Sequence, residues 1–276
     1  MIRLAVFGRP VTHSLSPRIH RHFGAQLGIP VDYRAVECSV DELPETLARF
    51  RDDGGIGANL TLPLKHAGAA VCTRIDRPAR RARAVNTLKL EADGWHGFNT
   101  DGGGLMLDLE RLGIAIGGRR VLVIGAGGAT AGILEPLLAA GPAQVCLLNR
   151  TLDRARYLAE KFARFGSVTA AALAEGPDDS AYDVLIQSTS AGHAGEALPI
   201  ERHWLAGHAQ AYDLNYGPAH AAFAKWCREN DLPVHDGFGM LVGQAALAFE
   251  IWTGRPVPFE RAVADISPQP RAASDF

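Results

Sequence analysis

The sequence has few cysteines, almost no net charge and no long apolar run, and each absence excludes a class of protein. Its 276 residues include four cysteines, widely spaced and without a CxxC pair. We therefore expect buried thiols in a reducing cytoplasm rather than disulfides. A net charge of −2 gives no reason to expect nucleic acid or an anionic membrane as a partner. No stretch is long and apolar enough to span a bilayer, and the N-terminus lacks the apolar region of a signal peptide.

Several catalytic and metal-binding motifs are also missing. The ten histidines form no HExxH motif and no Cys/His pair with metal-site spacing, so we predict no bound metal. Neither a GxSxG elbow nor a Walker A loop is present, which leaves hydrolase and NTPase functions without support. What remains is a chain with 47% apolar and 21% charged residues, the composition of a globular protein.

Strand-like and helix-like segments alternate along the chain in two units. The first unit starts with the apolar strand IRLAVFG and the helix SPRIHRHFGAQLG, for which we expect Ser16 as N-cap and Pro17 as the first helical residue. The second starts at Arg119 with the strand RRVLVIG and the helix GATAGILEPLLAAG. This alternation predicts two α/β domains with mostly parallel sheets and a boundary near the segment NTDGGG.

Polar residues end the third strand of the first unit, in the stretch ANLTLPLK. Side chains alternate between the faces of a strand, so Asn59 and Thr61 share one face. Lys65 follows at the start of a predicted helix, LKHAGAAVC, where a cation is mildly disfavoured by the helix dipole. The pattern brings an amide, a hydroxyl and an ammonium to the carboxyl end of one strand. The alternative is that these are ordinary strand and surface residues.

A glycine-rich turn joins the first strand and helix of the second unit. Gly125, Gly127 and Gly128 stand where a dinucleotide fold needs a tight turn and close approach of a pyrophosphate to a helix N-terminus. Thr130 replaces the usual third glycine. The strand–turn–helix context predicts dinucleotide binding, and an ordinary tight turn is the alternative.

The end of the next strand indicates which dinucleotide is bound. NAD-binding domains usually place an acidic residue there to hold the ribose 2′-hydroxyl, but this strand ends in Asn149, Arg150 and Thr151, with Arg154 on the following helix. Guanidinium groups form bidentate bonds to phosphate. NADP is therefore predicted in preference to NAD, unless these arginines are merely solvated.

Six motifs in this order, HSLSP, NLTLPLK, NTDG, GAGGAT, NRT and DGFGMLVGQAALAF, resemble the shikimate dehydrogenase family. The resemblance runs from Phe7 to about Trp252. It implies a substrate domain over residues 1–101, rejoined by segment 239–276, and a Rossmann domain over residues 102–238, with a cleft between them. It also implies NADPH-dependent reduction of 3-dehydroshikimate to shikimate, by a cytoplasmic monomer or homodimer that binds small molecules.

The resemblance assigns roles to individual residues. Lys65 looks like the catalytic lysine, and Asp101 looks like its partner. The implied substrate contacts are Ser14, Ser16, Asn59, Thr61, Asn86, Tyr216 and Gln244. The implied cofactor contacts are Gly125, Ala126, Gly127, Gly128, Ala129, Thr130, Asn149, Arg150, Thr151, Arg154, Leu214 and Gly237. The chain departs from the family pattern at Thr130, in HAAF after Tyr216 and past Gly192.

These residue types suit the reduction of a ring ketone, which needs a hydride on carbon and a proton on oxygen. Developing charge on the oxygen needs a nearby donor, and Lys65 can be one. The sequence does not decide whether Lys65 or Asp101 passes the proton, because a close pair titrates as a unit. Asp101 could instead serve only as a helix N-cap, and so could Ser16. The alternative functions are a quinate or dual quinate/shikimate dehydrogenase and a catalytically silent NADP-binding regulator.

Overall fold

Two six-stranded sheets organise the chain in a computed structural model that describes residues 1–177 and 181–266. The first sheet has the spatial order β2-β1-β3-β5-β6-β4. Its strands are β1 (Ile2–Gly8), β2 (Val31–Glu37), β3 (Gly55–Leu60), β4 (Arg74–Ile75), β5 (Thr87–Glu91) and β6 (Gly94–Phe98). Strand β1 pairs in parallel with β2 and β3, whereas β5 runs antiparallel to both β3 and β6. The sheet is therefore parallel on one side and mixed on the other.

All pairs in the second sheet are parallel, and its order is β9-β8-β7-β10-β11-β12. Its strands are β7 (Arg120–Ile124), β8 (Gln144–Asn149), β9 (Val168–Ala172), β10 (Tyr182–Gln187), β11 (Leu205–Asp213) and β12 (Val234–His235). This is the Rossmann strand order, in which ligands bind beyond the carboxyl ends of the central strands where the order reverses. That point lies between β7 and β10. The predicted two-part α/β fold is confirmed.

Nine α-helices lie among the described residues. They are α1 (Ser16–Leu27), α2 (Leu43–Asp52), α3 (Arg77–Ala82), α4 (Asp101–Arg111), α5 (Gly128–Ala139), α6 (Leu152–Phe162), α7 (Ala221–Glu229), α8 (Phe238–Thr253) and α9 (Phe259–Ile266). None of these described helices has the length and apolar character needed to cross a membrane. Over residues 1–177 and 181–266, no cluster of three or more His, Cys, Asp or Glu side chains could hold a metal ion.

Helix α8 packs on the first sheet although it follows the second sheet in sequence. Its residues Val242 and Phe249 share an apolar cluster with Leu4 of β1 and Phe23 of α1, all fully buried. The Trp252 indole donates a 2.8 Å hydrogen bond to the carbonyl of Leu88 on β5. Helix α8 also lies along α4, the first helix after the first sheet. Helix α8 thus closes the core of the N-terminal sheet.

Two local predictions are wrong. The expected helix after Lys65 is only a 3₁₀ helix, Ala67–Val71, preceded by turns at residues 62–66. The expected dipole effect on Lys65 therefore has no basis. Helix α1 begins at Ser16, so Leu15 and not Ser16 holds the N-cap position, and Leu15 makes no side-chain cap bond. Instead, the Ser14 hydroxyl accepts a 3.2 Å hydrogen bond from the Ser16 N–H.

Candidate active site

The structure brings Lys65 and Asp101 together, although 36 positions separate them. Lys65 lies on the turn that follows β3, and Asp101 is the first residue of α4. The Lys65 Nζ donates a 2.7 Å hydrogen bond to Asp101 Oδ2. The lysine side chain is 25% exposed and the carboxylate 8%. The pair therefore combines a buried anion with a cation that still reaches solvent.

Neighbouring amides fix the Asp101 carboxylate. Asn99 Oδ1 accepts from the Asp101 N–H at 3.0 Å, and Asn99 Nδ2 donates to the Ala84 carbonyl at 2.9 Å. Asn86 Nδ2 donates to Asp101 Oδ1 at 2.8 Å. Both carboxylate oxygens thus accept hydrogen bonds, one from Lys65 and one from Asn86. Asp101 is therefore a hydrogen-bond acceptor for these two side chains, and Thr100, not Asp101, holds the N-cap position of α4.

Asn59 faces the same polar cluster from β3. It lies directly across the antiparallel β3–β5 pair from Thr87, so both side chains are on one face. Asn59 Nδ2 donates to the Asn86 carbonyl at 3.2 Å and to Thr87 Oγ1 at 3.1 Å. Its Oδ1 accepts from the Tyr33 hydroxyl at 2.7 Å. With both N–H bonds used, Asn59 can offer a ligand only the remaining acceptor site on Oδ1.

Gln244 reaches this cluster from α8. Its Oε1 lies 3.5 Å from Asn86 Nδ2 and 3.5 Å from Thr100 Oγ1, at the long limit for a hydrogen bond. Its Nε2 donates to the Leu241 carbonyl at 2.9 Å. Gln244 is 8% exposed, so it forms the helical wall of the cluster.

Of the other predicted substrate contacts, Ser16 has a side-chain hydrogen bond with Tyr33, and the rest lie apart from this network. Among the described residues, no side-chain hydrogen bond joins Ser14, Thr61 or Tyr216 to it. Ser14 is half-buried and Ser16 buried at the start of α1, and Thr61 follows β3, with its N–H bonded to the Phe7 carbonyl at 2.9 Å. Tyr216 is half-buried against the apolar cluster of α8, and burial raises the pKa of its phenol.

The glycine-rich turn has the conformation that its residues predict. Gly125 has φ +115°, and a Cβ there would lie 2.6 Å from Ser188 Oγ, so only glycine fits. Thr130 is fully buried, and its hydroxyl bonds the Gly125 carbonyl at 3.0 Å and Ser188 Oγ at 2.7 Å. The departure at Thr130 therefore supplies a hydroxyl that fixes the turn. A Cβ on Gly127 would meet nothing within 4 Å, which leaves room for a phosphate.

Free cationic side chains stand at the start of α6. Asn149 Nδ2 donates to the Thr151 carbonyl at 2.8 Å, which shapes the turn after β8. Arg150, Thr151 and Arg154 are exposed, and within the described part of the chain neither arginine forms an ion pair. The nearby Asp153 pairs weakly with Arg156, at 3.7 Å. This donor set fits a 2′-phosphate, which the open guanidinium groups can bind.

The remaining predicted cofactor residues line the same end of the second sheet. Leu214 follows β11, and its N–H donates to the Gln187 carbonyl at 2.8 Å. Gly237 lies against the Leu214 carbonyl, so closely that a Cβ would overlap it. Ala126 and Ala129 are half-buried in the turn and the first turn of α5. These positions form a wall rather than a set of polar donors.

The Lys65–Asp101 pair adjoins the glycine-rich turn. A Cβ on Gly132, in the second turn of α5, would lie 3.5 Å from the Asn99 side chain and 3.6 Å from Asp101 Cβ. A Cβ on Gly128 would lie 3.3 Å from His66 Nε2. The predicted catalytic and dinucleotide-binding residues therefore form one continuous surface.

Sequence reasoning missed four residues that contact these predicted sites: Tyr33, His66, Thr87 and Ser188. Ser188 follows β10, next to β7, so the rule that ligands bind beyond strand carboxyl ends could have found it. Thr87 lies beside Asn86 in the VNT motif, but its part depends on the β3–β5 register. Tyr33 resembles an ordinary core residue in sequence.

Comparison with known proteins identifies related domains over most of the chain. Residues 6–88 match the family profile described as the shikimate dehydrogenase substrate binding domain. Residues 109–195 match shikimate / quinate 5-dehydrogenase, and residues 237–263 match the shikimate 5′-dehydrogenase C-terminal domain. A curated shikimate dehydrogenase (NADP(+)) from Xylella fastidiosa (strain 9a5c) is 43% identical over 257 residues, 92% of this chain and 91% of that protein.

Solved structures share the whole architecture. The crystal structure of shikimate 5-dehydrogenase from Thermus thermophilus, in complex with NADP(H) and shikimate, is 34% identical with a TM-score of 0.84. That match covers 96% of this chain and 100% of the other. An Ael1 enzyme from Pseudomonas putida is 35% identical with a TM-score of 0.89, over 96% and 98% of the two chains.

Proposed function

The chain belongs to the shikimate dehydrogenase family, and from this premise we propose that it reduces 3-dehydroshikimate reversibly to shikimate with NADPH. It is an oxidoreductase of the shikimate pathway, which leads to chorismate and the aromatic amino acids. The observation that carries the proposal is the Lys65–Asp101 pair at 2.7 Å, beside the glycine-rich turn.

The geometry supports Lys65 as the proton donor. When bound, NADPH would supply the hydride for the carbonyl carbon of the ring. Lys65 Nζ stabilises the developing charge on the carbonyl oxygen and transfers its proton to it. Asp101 already accepts on both oxygens, so it orients the ammonium and has no proton of its own to give. The 25% exposure of the lysine side chain allows solvent to restore the proton.

The substrate residues offer complementary groups for the rest of the ring. Ser14 and Ser16, at the start of α1, supply hydroxyl groups for a carboxylate. Asn59, Thr61, Asn86, Tyr216 and Gln244 supply acceptors and donors for ring hydroxyls. We assign the cofactor to the turn Gly125–Thr130, to Asn149, Arg150, Thr151 and Arg154, and to the wall of Leu214 and Gly237.

The proposed assignment of substrate binding and cofactor binding follows the two sheets. We propose a substrate-binding part formed by residues 1–101 with segment 239–276, of which residues 267–276 lie outside the described residues, and an NADP-binding part formed by residues 102–238. The packing of α8 on β1 and α1 supports the inclusion of the C-terminal segment.

Steady-state kinetics with shikimate, quinate, NADP and NAD test the proposal. We expect the largest kcat/KM for shikimate with NADP. Comparable values for quinate would indicate the dual-specificity enzyme, which the family name shared with quinate dehydrogenases keeps as the second candidate. No turnover with any pair, combined with NADPH binding measured by fluorescence, would contradict the proposal and favour a silent NADP-binding regulator.

A further inference from the structure

Buried hydrogen bonds connect the Lys65–Asp101 pair to residues with no assigned part in the reaction. Starting from Tyr33, each donor points to the next acceptor. The Tyr33 hydroxyl donates to Asn59 Oδ1 at 2.7 Å, and Asn59 Nδ2 donates to Thr87 Oγ1 at 3.1 Å. The Thr87 hydroxyl donates to Asn86 Oδ1 at 2.9 Å, and Asn86 Nδ2 donates to Asp101 Oδ1 at 2.8 Å. The series ends where Lys65 Nζ donates to Asp101 Oδ2.

Backbone groups fix the direction of this series. The Thr100 N–H can only donate, and it donates to Asn86 Oδ1 at 3.0 Å, so the Asn86 amide cannot be reversed. The Asn86 carbonyl can only accept, and it accepts from Asn59 Nδ2 at 3.2 Å, so the Asn59 amide cannot be reversed either. The Thr87 hydroxyl therefore lies between a fixed donor and a fixed acceptor. Its proton must point towards Asn86.

The residues of this series are buried, so the direction of their hydrogen bonds affects the carboxylate at its end. Thr87 and Tyr33 are fully buried, Asn86 is 2% exposed and Asn59 5%. Burial also raises the pKa of the Tyr33 phenol well above its usual value, which keeps it a donor. Hydrogen bonds in such surroundings polarise one another, and all of these donors are aligned towards a carboxylate.

We propose that Thr87 is a positioning residue of the reaction, because its hydroxyl locks the Asn59 and Asn86 amides that hold Asp101 against Lys65. Tyr33 lies beyond Asn59 in the same network and acts mainly through Asn59. This inference rests on the proposed roles of Lys65 and Asp101. It adds two residues that touch neither the substrate nor the cofactor.

Two substitutions at Thr87 distinguish the effect of its hydroxyl from the effect of its packing. Thr87→Val keeps the shape and removes the hydroxyl, whereas Thr87→Ser keeps the hydroxyl and removes a methyl group. Because small displacements of a reacting group reduce rates steeply, we expect Thr87→Val to lower kcat roughly 10- to 100-fold. We expect Thr87→Ser to keep kcat within about threefold, which one retained hydrogen bond allows. Thr253→Val removes a threonine hydroxyl outside the network, one that donates to the Phe249 backbone carbonyl; it is the matched control and should retain kcat.

Shikimate binding without cofactor, measured by calorimetry, gives a second readout. Thr87→Val should change this Kd much less than kcat. Tyr33→Phe should instead raise this Kd roughly two- to tenfold, the contribution of one neutral hydrogen bond, and leave kcat nearly unchanged. If Thr87→Val does not fold, an unchanged Kd and kcat for Tyr33→Phe would overturn the network.

The inference is overturned if Thr87→Ser is slower than Thr87→Val, or if Thr87→Val lowers only the melting temperature. Its failure differs from failure of the proposed function. The proposed function fails when the wild-type chain does not turn over shikimate. The network fails when the wild-type chain does so and Thr87→Val keeps the same kcat.

Discussion

His20 should make the stability of the fold depend on pH. Its ring is fully buried, lies parallel to the Tyr33 ring at 4.5 Å and is 5.1 Å from the Trp252 ring. Neither ring nitrogen has a partner in good hydrogen-bond geometry among the described residues, although the Asn59 side chain lies close enough to affect the ring. Burial lowers the His20 pKa from 6.5 to about 3, and the nearby Asn59 side chain opposes this only in part. The imidazole is therefore neutral in the folded protein at any ordinary pH.

The size of the effect follows from the proton taken up on unfolding. The folded pKa of His20 lies below the unfolded value of 6.5. The contribution of the neutral ring to the unfolding free energy is therefore fully present above pH 6.5, and it is lost as the pH falls from 6.5 towards the folded pKa. Between about pH 7.5 and pH 5 the loss from this one group is roughly 2 kcal/mol. The figure depends little on the folded pKa as long as that pKa stays below about 4.

Urea unfolding of the wild type and of His20→Phe at both pH values measures this contribution. The phenyl ring keeps the aromatic packing and cannot titrate, so the unfolding free energy of the variant should depend less on pH, by about 2 kcal/mol over the interval. Steric effects of the larger ring act equally at both pH values and cancel. Parallel pH dependences in the two proteins would show that His20 titrates normally, and the argument from burial would be refuted.

Three further substitutions test the other assignments. Lys65→Ala should lower kcat roughly 10²- to 10⁴-fold while the calorimetric Kd for shikimate changes far less; near-normal turnover would remove its assigned role. Arg150→Asp should raise KM for NADPH much more than KM for NADH, because only NADPH carries the 2′-phosphate, and equal increases would contradict the assignment. Tyr212→Phe removes a 2.6 Å hydrogen bond to the fully buried Asp108 carboxylate, so chemical denaturation should show a loss of about 1.5–3 kcal/mol. A loss below about 0.5 kcal/mol would mean that Arg111, bonded to the other carboxylate oxygen at 2.7 Å, suffices.

The features that sequence predicted are those set by neighbouring residues. The turn Gly125–Gly128 depends on a strand, a tight turn and a helix that are adjacent in the chain, so its pattern is visible locally. The alternation of strands and helices predicted the two-part α/β fold in the same way. Local signals were less reliable at element ends. Ser16 looked like a cap because it precedes a proline, yet the capping contact comes from Ser14, two residues earlier.

The features that sequence did not predict depend on register between distant strands. Thr87 faces Asn59 because β5 pairs antiparallel with β3, and a shift of one residue would turn the hydroxyl to the opposite face. Tyr33 reaches Asn59 across β1, which lies between their two strands. The resemblance to a family supplied Lys65 and Asp101 as a pair, and Asn59 and Asn86 as substrate contacts, but it did not supply Thr87 or Tyr33.

Helix α4 links the two sheets mechanically, and this bears on how the pair is positioned. Asp101, at its start, is bonded to Asn86 and Lys65 of the first sheet and its turns. Asp108, about 10 Å further along the helix axis, is bonded to Tyr212 on β11 of the second sheet. A short helix resists bending, so a displacement of one sheet relative to the other must strain one of these two attachments. The position of the carboxylate against Lys65 is therefore set by both halves of the molecule, including the half that we assign to the cofactor.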